Sequence, residues 1–315
     1  YIDDFESVTR TTPLGITMVL WRNSSFPVYS NLSDGSWEKQ RGRTIWYNPQ
    51  NQIKITDVWP DRQVQAQAST MPVLRIDYQP WWGEWDASPP KNVDPERSWG
   101  GVMRYLGTGY ADQSQSKYLE IWINRLNANH GEMYLDMGRI SEDIIPDGVL
   151  NIEDLPAQGF AFGDGILSPS EDVGLDRKAG ADPADSTDIN GDGVMQPSYD
   201  DWAFTNSEYS HINGTEGNKG FEVGRYPDTE DLDNDGSVDR ANDFYRYKID
   251  LSEGDANRYI VGGIGNPKGW RLYRIPLVDT LSTGSPSFTS VEYVRIWFTG
   301  FAGKTSVMIA SMDIV

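Results

Sequence analysis

Alternation between hydrophobic and polar side chains is the strongest regular pattern along this chain. In the segment Met71–Tyr78 the side chains of Leu74, Ile76 and Tyr78 fall on one face of an extended backbone, and Lys117–Asn124 alternates in the same way. A repeat of two residues is typical of β-strands with one buried face. No window of about 12 residues carries the stripe of an amphipathic helix, so the pattern predicts an all-β protein.

The same pattern predicts further strands on both sides of the centre of the chain. They are Tyr1–Phe5, Thr17–Arg22, Thr44–Tyr47, Ile53–Val58, Gly100–Leu106, Glu132–Met137, Phe244–Leu251, Arg258–Val261, Trp270–Leu277, Ser290–Phe301 and Ser306–Val315. A turn at Asn127–Gly131 is expected to join two of the strands as a hairpin, and the last strand is expected to pair near the first. Roughly eight to twelve strands in two blocks predict an antiparallel β-sandwich of jelly-roll type.

The central span from Ser141 to Asp243 breaks this pattern, because Gly, Asp, Pro, Ser and Asn dominate it. A long span without regular structure is unusual in a compact domain unless something other than an apolar core orders it, and bound metal ions can do so. We therefore predict one composite domain. Residues 1–140 form the first half of the sandwich, 141–243 an acidic calcium-loop insert, and 244–315 the second half.

Four Asp-Gly pairs in the insert are each followed by an apolar residue and then by another acid. The copies are Asp147-Gly148 with Asp154, Asp164-Gly165 with Asp172, Asp192-Gly193 with Asp200, and Asp235-Gly236 with Asp243. Only the last two copies carry alternating oxygen side chains in front of the pair, as a hard cation requires. The first two are better explained as Asx turns that bond their own backbone.

The two long motifs have the oxygen ligands and the spacing of calcium-binding loops. In the first, the predicted ligands are the side chains of Asp188, Asn190 and Asp192, the carbonyl of Val194 and the closing carboxylate of Asp200. In the second, they are the side chains of Asp231, Asp233, Asp235 and Asp239, the carbonyl of Ser237 and the closing carboxylate of Asp243. An EF-hand would place a glutamate where Tyr199 and Asn242 stand, so we predict calcium loops of the broader D-x-[DN]-x-D-G type without flanking helices.

The charge of the chain agrees with cation binding and narrows the range of partners. There are 47 Asp and Glu against 27 Lys and Arg, a net charge of −20. This excess disfavours nucleic acid and anionic membrane surfaces as partners. The absence of cysteine excludes disulfides and thiolate metal sites. The chain begins at Tyr1 and shows no signal peptide or membrane-spanning stretch, so a processed product or an excised piece is expected.

A tryptophan cluster within residues 81–85 offers a second candidate site. Aromatic faces beside a carboxylate are typical of platforms on which sugar rings stack, which makes Trp81, Trp82 and Trp85 candidate glycan-binding residues beside Glu84. Tryptophan is also a common core residue of a β-sandwich, so a purely structural role for the cluster stays open.

Enzymatic activity is not predicted. The only histidines, His130 and His211, lie in polar, turn-like contexts. No nucleophile elbow, zinc-protease motif or phosphate-binding loop is present, and nothing singles out two of the many acids as a catalytic pair for glycoside hydrolysis.

Several separated segments carry a family resemblance. They are Asp3–Glu6, Arg43–Pro49, Trp99–Arg104, Ser116–Trp122, Leu135–Gly148 and Pro227–Asp231. In this order they resemble SprA, the very large cell-surface and outer-membrane protein of Bacteroidota and their relatives. The resemblance runs along most of the chain and is weakest over about residues 8–36.

The resemblance implies a soluble, jelly-roll-like extracellular portion of the outer-membrane translocon of type IX secretion, which is tied to gliding motility. Chains of that family are several times longer, so translocation itself is not assigned to this piece. The main hypothesis is therefore a non-enzymatic, calcium-stabilised domain of an outer-membrane-associated cell-surface protein, in contact with exported or neighbouring surface proteins. The alternative is a calcium-dependent carbohydrate-binding jelly-roll module, and a glycoside hydrolase or lyase accessory domain is the third.

Overall fold

A computed structural model shows two antiparallel β-sheets packed face to face. It describes residues 11–28, 40–85, 87–110, 112–154, 163–168, 171, 173–178, 184–199, 204, 208–212, 218–220, 224–278 and 281–315. Nearly all of the regular structure in these residues is β-strand, which confirms the predicted antiparallel β-sandwich of jelly-roll type. The predicted strand Tyr1–Phe5 lies outside the described residues.

The strands and helices have the following bounds. The strands are β1 Thr12–Pro13, β2 Arg22–Asn23, β3 Arg43–Tyr47, β4 Ile53–Lys54, β5 Thr70–Met71, β6 Leu74–Gln79, β7 Trp99–Tyr105, β8 Tyr118–Asn124, β9 Glu132–Arg139, β10 Ser186–Thr187, β11 Gln196–Pro197, β12 Asn218–Gly220, β13 Gly224–Tyr226, β14 Asp243–Asp250, β15 Ile260–Gly262, β16 Trp270–Pro276, β17 Leu281–Thr283, β18 Tyr293–Thr299 and β19 Thr305–Ile314. The one α-helical turn of the described residues is α1 Ile55–Val58, and 3-10 turns span Met18–Leu20, Ala66–Ala68, Pro95–Arg97, Thr108–Tyr110 and Leu251–Ala256. None of these helices is long and apolar enough to cross a membrane.

The two main sheets take their strands from both ends of the chain. Sheet A has the order β15-β16-β8-β19-β6-β3, and β1 also pairs with β19. Sheet B has the order β17-β14-β9-β18-β7-β2. Their inner faces form one buried cluster, to which alternate residues of the central strands contribute: Leu119, Ile121 and Ile123 of β8, Met133, Leu135 and Met137 of β9, and Val294, Ile296 and Phe298 of β18.

The predicted hairpin at Asn127–Gly131 is wrong. Strand β8 pairs with β16 and β19 in sheet A, whereas β9 pairs with β14 and β18 in sheet B. The turn therefore carries the chain across the sandwich, from one sheet to the other. Both strands have one apolar face, and these faces meet in the core instead of lying side by side. Alternation alone does not distinguish the two arrangements.

Two predicted strands are interrupted by short helical turns. Strand β4 ends at Lys54, and α1 then packs Val58 and the adjacent Trp59 against Trp122 and Trp270 on the outer face of sheet A. In the segment predicted as the strand Thr17–Arg22, a 3-10 turn replaces most of the strand. The backbone of this turn is hydrogen-bonded by one side chain from β3 and by another from the residues just after β3. Asn48 Oδ1 accepts the N–H of Met18 at 2.8 Å, and Trp46 Nε1 donates to the Met18 carbonyl at 3.1 Å.

The last strand pairs with the first described strand, since Thr12 lies opposite Ile314. A bulge between Ile309 and Ser311 shifts the register of β19. Before the bulge, Met308 packs in the group of Trp59, Trp122 and Trp270 on the outer face of sheet A, and after it Met312 joins the main core. Alternation in the sequence indicates that these side chains share one face of β19. The extra residue of the bulge instead turns the side chains after it to the opposite face of the sheet.

A buried ion network lies on the outer face of sheet B. Asp136 of β9 is 0% exposed and accepts bonds from Arg246 Nε at 2.7 Å and Arg295 Nη2 at 2.6 Å. Burial alone would raise the pKa of Asp136, but the two guanidinium groups outweigh it and hold the pKa below its ordinary value. Beside the network, the rings of Tyr134 and Trp297 stack at 4.3 Å between centroids.

The insert, residues 141–243, joins the sandwich through arginines that precede and begin β3. Arg41 Nη1 donates to the carbonyl of Ile144 at 2.7 Å, and Arg43 Nη2 donates to the carbonyls of Tyr199 at 3.0 Å and Ser210 at 2.8 Å. Within the described part of the insert the only strands are the short pairs β10–β11 and β12–β13. Most of the described backbone of the insert therefore lies outside sheet ladders.

Candidate functional site

The four Asp-Gly turns of the insert share one backbone geometry. Their glycines, Gly148, Gly165, Gly193 and Gly236, have φ angles of 73°, 76°, 80° and 84°. In each turn the aspartate accepts the N–H two residues further on: Asp147 from Val149, Asp164 from Ile166, Asp192 from Val194 and Asp235 from Ser237, all at 2.8–2.9 Å. This Asx bonding is common to all four turns, so it does not separate the predicted calcium loops from the predicted simple turns.

A second carboxylate closes each of the two predicted calcium loops. Asp188 accepts the N–H groups of Asp192 at 2.9 Å and Gly193 at 2.8 Å. Asp231 accepts those of Asp235 and Gly236, each at 2.9 Å. The first aspartate of each motif therefore folds back over its Asp-Gly pair, which brings the acidic side chains of the loop together.

The other two turns are closed in the same manner by residues that sequence spacing did not identify. Asp143 accepts the N–H of Gly148 at 3.3 Å, and Asp154 accepts the N–H of Gly165 at 2.7 Å. Asp154 thus serves the turn that follows it, although its position in the sequence associates it with Asp147. Asp143 precedes Asp147 by the same four residues that separate Asp188 from Asp192, and this spacing was the available signal.

The second loop has the more complete set of candidate calcium ligands. Asp231, Asp233 and Asp235 each place a carboxylate oxygen within 4.8 Å of the others. Burial and then the charge of Asp235 raise the pKa of both Asp233 and Asp239. Crowded carboxylate oxygens fit a hard cation, and its charge would relieve their mutual repulsion.

The remaining predicted ligands are placed differently. Asp243 begins β14, where its Oδ1 accepts the N–H of Ser285 at 2.8 Å and its Oδ2 lies 3.8 Å from Arg139. It does not belong to the group of oxygens formed by the second loop. In the first loop Asn190 Nδ2 lies 3.4 Å from Asp192 Oδ2. Asp200 and Asp172 fall outside the described residues, and a calcium role for Val194 and Ser237 stays a prediction.

Buried glutamates that sequence reasoning missed connect the first turn to the last. Glu142 accepts the N–H groups of Leu232 at 2.8 Å and Asp239 at 3.2 Å. In return, Glu230 accepts those of Ile144 and Ile145, both at 2.7 Å, and a third from Asn151 at 3.0 Å. Burial raises the pKa of Glu142 to about 7 and that of Glu230 to about 8, although the amide bonds act in the opposite direction.

Glu153 has the same role for the second turn. Its carboxylate accepts the N–H groups of Val173 and Gly174 at 3.1 Å and that of Asp228 at 2.8 Å. A sequence signal for these residues exists, because each buried glutamate directly precedes the aspartate that closes a turn. The pairs are Glu142-Asp143, Glu153-Asp154 and Glu230-Asp231.

The tryptophan cluster packs within the protein and is not an open platform. Trp81 is 5% exposed and cannot present its ring to a sugar. Trp82 is half-buried against the insert and donates from Nε1 to the carbonyl of Pro197 at 2.8 Å. Trp85 is half-buried against the main core, with Lys304 Nζ 5.2 Å from its ring centroid. The structural alternative therefore describes Trp81, and a glycan role for Trp82 and Trp85 stays a prediction.

A larger cleft lies at the open side of the sandwich, where the edges of sheets A and B meet. We name it the edge cleft. It has a volume of about 800 Å³, and its lining includes Tyr118 of β8, Tyr247 of β14 and Tyr259 before β15. Tyr118 is 38% exposed, Tyr259 is half-buried, and Leu281 forms an exposed apolar rim. Aromatic and aliphatic surface with a few polar groups is typical of a ligand site.

Among the described residues, those that line the edge cleft and carry a charge are basic: Arg246, Lys248, Arg258 and Arg274. Arg246 belongs to the buried ion network, and Lys248 pairs with Glu132. Arg274 Nε donates to Glu120 at 2.6 Å. Arg258 lies over the ring of Tyr259 at 4.7 Å and donates to its hydroxyl at 2.7 Å. No histidine or carboxylic acid of the described residues lines the cleft.

A smaller pocket, the Trp59–Trp122 pocket, lies on the outer face of sheet A. Its volume is about 540 Å³, and its two half-exposed indole rings meet edge to face at 5.9 Å. Arg62 lies 5.1 Å from the ring centroid of Trp59. The loop 263–267 also lines the pocket. This pocket is a second aromatic surface against which the edge cleft can be compared.

Comparison with known proteins gives distant structural neighbours. No protein-family model and no curated protein matches this chain. Among solved structures, a family 11 carbohydrate-binding module from Clostridium thermocellum, in complex with a β-1,3-1,4-mixed-linked tetrasaccharide, aligns over 100% of this chain and 93% of its own, at 10% identity and a TM-score of 0.32. A family 28 module specific for non-crystalline cellulose aligns over 92% and 96%, at 9% identity and a TM-score of 0.25. Alignments this weak do not establish a shared ligand.

Proposed function

We propose that this chain is a non-catalytic carbohydrate-binding β-sandwich whose ligand lies in the edge cleft. The observation that carries the proposal is the lining of the cleft, in which tyrosine faces and an aliphatic rim stand beside arginine hydrogen-bond donors. Sugar rings present apolar C–H faces and polar edges, and such a lining complements both. The cleft has no lining carboxylic acid or imidazole among the described residues, so it lacks groups for the proton transfers of glycoside hydrolysis.

A glycan array tests this function. The wild-type protein is expected to be retained on a subset of saccharides, and Tyr118→Ala and Tyr259→Ala are expected to weaken retention because each removes an aromatic wall of the edge cleft. Trp85→Ala is the matched control, since it removes a half-buried ring in another region. Retention lost in Trp85→Ala and kept in Tyr259→Ala would place the site at the tryptophan cluster, and retention on no saccharide would contradict the function.

The proposal includes a structural role for calcium in the insert. The oxygen group of Asp231, Asp233 and Asp235 supports it, together with the matching backbone bonds of the loop at Asp188. Chelator is expected to lower the melting temperature and to increase protease cleavage between Ser141 and Asp243. Unchanged melting and cleavage in chelator would contradict a structural calcium.

The biological setting is proposed separately. We propose that the chain belongs to the cell surface of a bacterium with type IX secretion, next to exported or neighbouring surface proteins, and the segments that resemble SprA support this setting. The parent gene tests this point: a reading frame several times longer than this chain supports it, and a complete gene of about this length contradicts it.

A further inference from the structure

From the geometry of the edge cleft we infer that it selects acidic saccharides, those that carry a carboxylate or a sulfate, over neutral ones. The inference rests on the proposed function and specifies the class of its ligand. It is carried by three features of the described residues: the sign of the charge that lines the cleft, an arginine without a carboxylate partner, and a buried hydroxyl group without a hydrogen bond.

The charge of the cleft departs from that of the whole protein. The chain has a net charge of −20, yet the cleft is lined by four basic residues and no described acid. Three of the four have acidic partners, since Arg246 binds Asp136, Lys248 binds Glu132 and Arg274 binds Glu120. Only Arg258 has no acidic partner among the described residues, so the excess positive charge of the described lining comes from this one residue.

Arg258 is the cation that is available to a ligand. Within the described residues its contacts are with Tyr259, whose ring it covers and whose hydroxyl it approaches. No described carboxylate forms an ion pair with it. One Arg258 nitrogen donates to the Tyr259 hydroxyl, and the remaining N–H donors of the guanidinium match the oxygens of a carboxylate or sulfate.

Tyr247 is a buried residue in the lining of the same cleft. Its side chain is 2% exposed and lines the cleft, and its hydroxyl has no hydrogen-bond partner among the described residues. A buried hydroxyl without a partner is costly, so a ligand oxygen that accepts its hydrogen bond would gain that energy. Burial also raises the pKa of Tyr247, which keeps it a donor at neutral pH.

A saccharide explains the whole lining better than an acidic peptide does. Exposed tyrosine at Tyr118, with Arg274 at 5.5 Å from its ring centroid, offers a flat wall for a sugar ring. The net charge of −20 also disfavours a long polyanion that would extend beyond the cleft, so a short acidic oligosaccharide or a chain end is the expected occupant.

The test uses matched pairs of oligosaccharides with the purified wild-type chain. Each uronic-acid oligosaccharide is compared with its neutral methyl ester, and each sulfated one with its desulfated form. We expect at least one acidic member to bind roughly tenfold to a hundredfold more tightly than its neutral counterpart, because charge-assisted hydrogen bonds are lost in the neutral form. The uronate and sulfate arms identify which anionic group is preferred.

Three variants locate the effect. Arg258→Met is expected to abolish the preference for the acidic member, whereas Arg62→Met, which removes an arginine stacked on Trp59 in the other pocket, is expected to leave it unchanged. Tyr247→Phe removes only the unpartnered hydroxyl, so it is expected to fold normally and to bind the acidic member less tightly.

The outcomes distinguish failure of the acidic preference from failure of the proposed carbohydrate-binding function. Equal binding of acidic and neutral members overturns the acidic preference and keeps carbohydrate binding. Loss of the preference in Arg62→Met but not in Arg258→Met overturns the assignment to the edge cleft. Binding of no saccharide overturns both proposals.

Discussion

The sandwich and the insert stabilise buried carboxyl groups in different ways. In the sandwich, Asp136 lies between two guanidinium groups, and the surrounding backbone is already satisfied by the ladders of sheet B. In the insert, Glu142, Glu153 and Glu230 are equally buried but bond to backbone N–H groups of neighbouring turns. Carboxylates there take the place of the missing sheet partners.

From this difference we expect the structure of the insert, and not that of the sandwich, to depend on bound metal ions. The sandwich has a continuous apolar core and a buried carboxylate paired with two guanidinium groups, so we expect its edge cleft not to require metal in the insert. The insert concentrates negative charge, with Asp231, Asp233 and Asp235 close together. The structural order of the insert should therefore depend on bound cations and ionic strength. Ligand binding in the edge cleft should not depend on them.

The largest expected effect is at the buried network. Asp136→Asn leaves Arg246 and Arg295 without their carboxylate in a buried site, so we expect the free energy of unfolding to fall by about 3–5 kcal/mol. Urea denaturation measures this. Asp255→Asn is the control, since its partner Arg271 binds it at a partly exposed site and the loss should be below about 1 kcal/mol. Equal losses in the two variants would show that the network is not special.

The same carboxylate should give the sandwich an acid limit. The pKa of Asp136 is lowered in the folded protein, so its contribution is present above the ordinary aspartate pKa of about 4 and is lost as pH falls through the lower, folded value. The stability difference between wild type and Asp136→Asn should therefore be constant near neutral pH and shrink below about pH 4. A difference that persists unchanged in strong acid would mean that it does not arise from the ionised carboxylate.

A smaller effect is expected in the insert. Glu230→Gln replaces one of two accepting oxygens with an NH₂ group that faces a backbone N–H, so the unfolding free energy should fall by about 1–3 kcal/mol. Glu171→Gln, whose parent carboxylate accepts one amide from Ser168, should change it less. If Glu230→Gln were as stable as wild type, the buried glutamates would not hold the turns together.

The smallest effect isolates the geometry of a turn. Gly193 has a φ of 80° and open space where a side chain would begin, so Gly193→Ala should cost about 1 kcal/mol through backbone strain alone. Thermal denaturation with and without calcium measures it. A cost of several kcal/mol would indicate a contact that the open space does not show.

Sequence patterns predicted the sandwich well because its strands have one buried face. The segments around β6, β8 and β18 alternate clearly, and each is a long strand. Strand pairing could not be predicted from the sequence in the same way. Strands β8 and β9 are adjacent in sequence yet belong to different sheets, because packing between distant segments in the core decides which strands pair. The bulge in β19 left no local signal for the same reason.

The candidate sites show a similar division. Spacing identified the Asp231–Asp235 group, because its ligands are local in sequence. It did not identify the edge cleft, where Tyr118, Tyr247 and Arg258 come from separate segments that only the closed sandwich brings together. The sequence predicts Trp81 as a candidate glycan-binding residue because sequence alone does not distinguish a buried tryptophan from an exposed one.

Hydrogen–deuterium exchange in calcium and in chelator tests the contrast between the two regions most directly. The account predicts that chelator speeds exchange at the amides of Gly193, Asp235 and Gly236, which the loop carboxylates hold, and leaves β8, β9 and β18 protected. Unchanged exchange in the loops, or an equal increase in loops and sandwich strands, would contradict it.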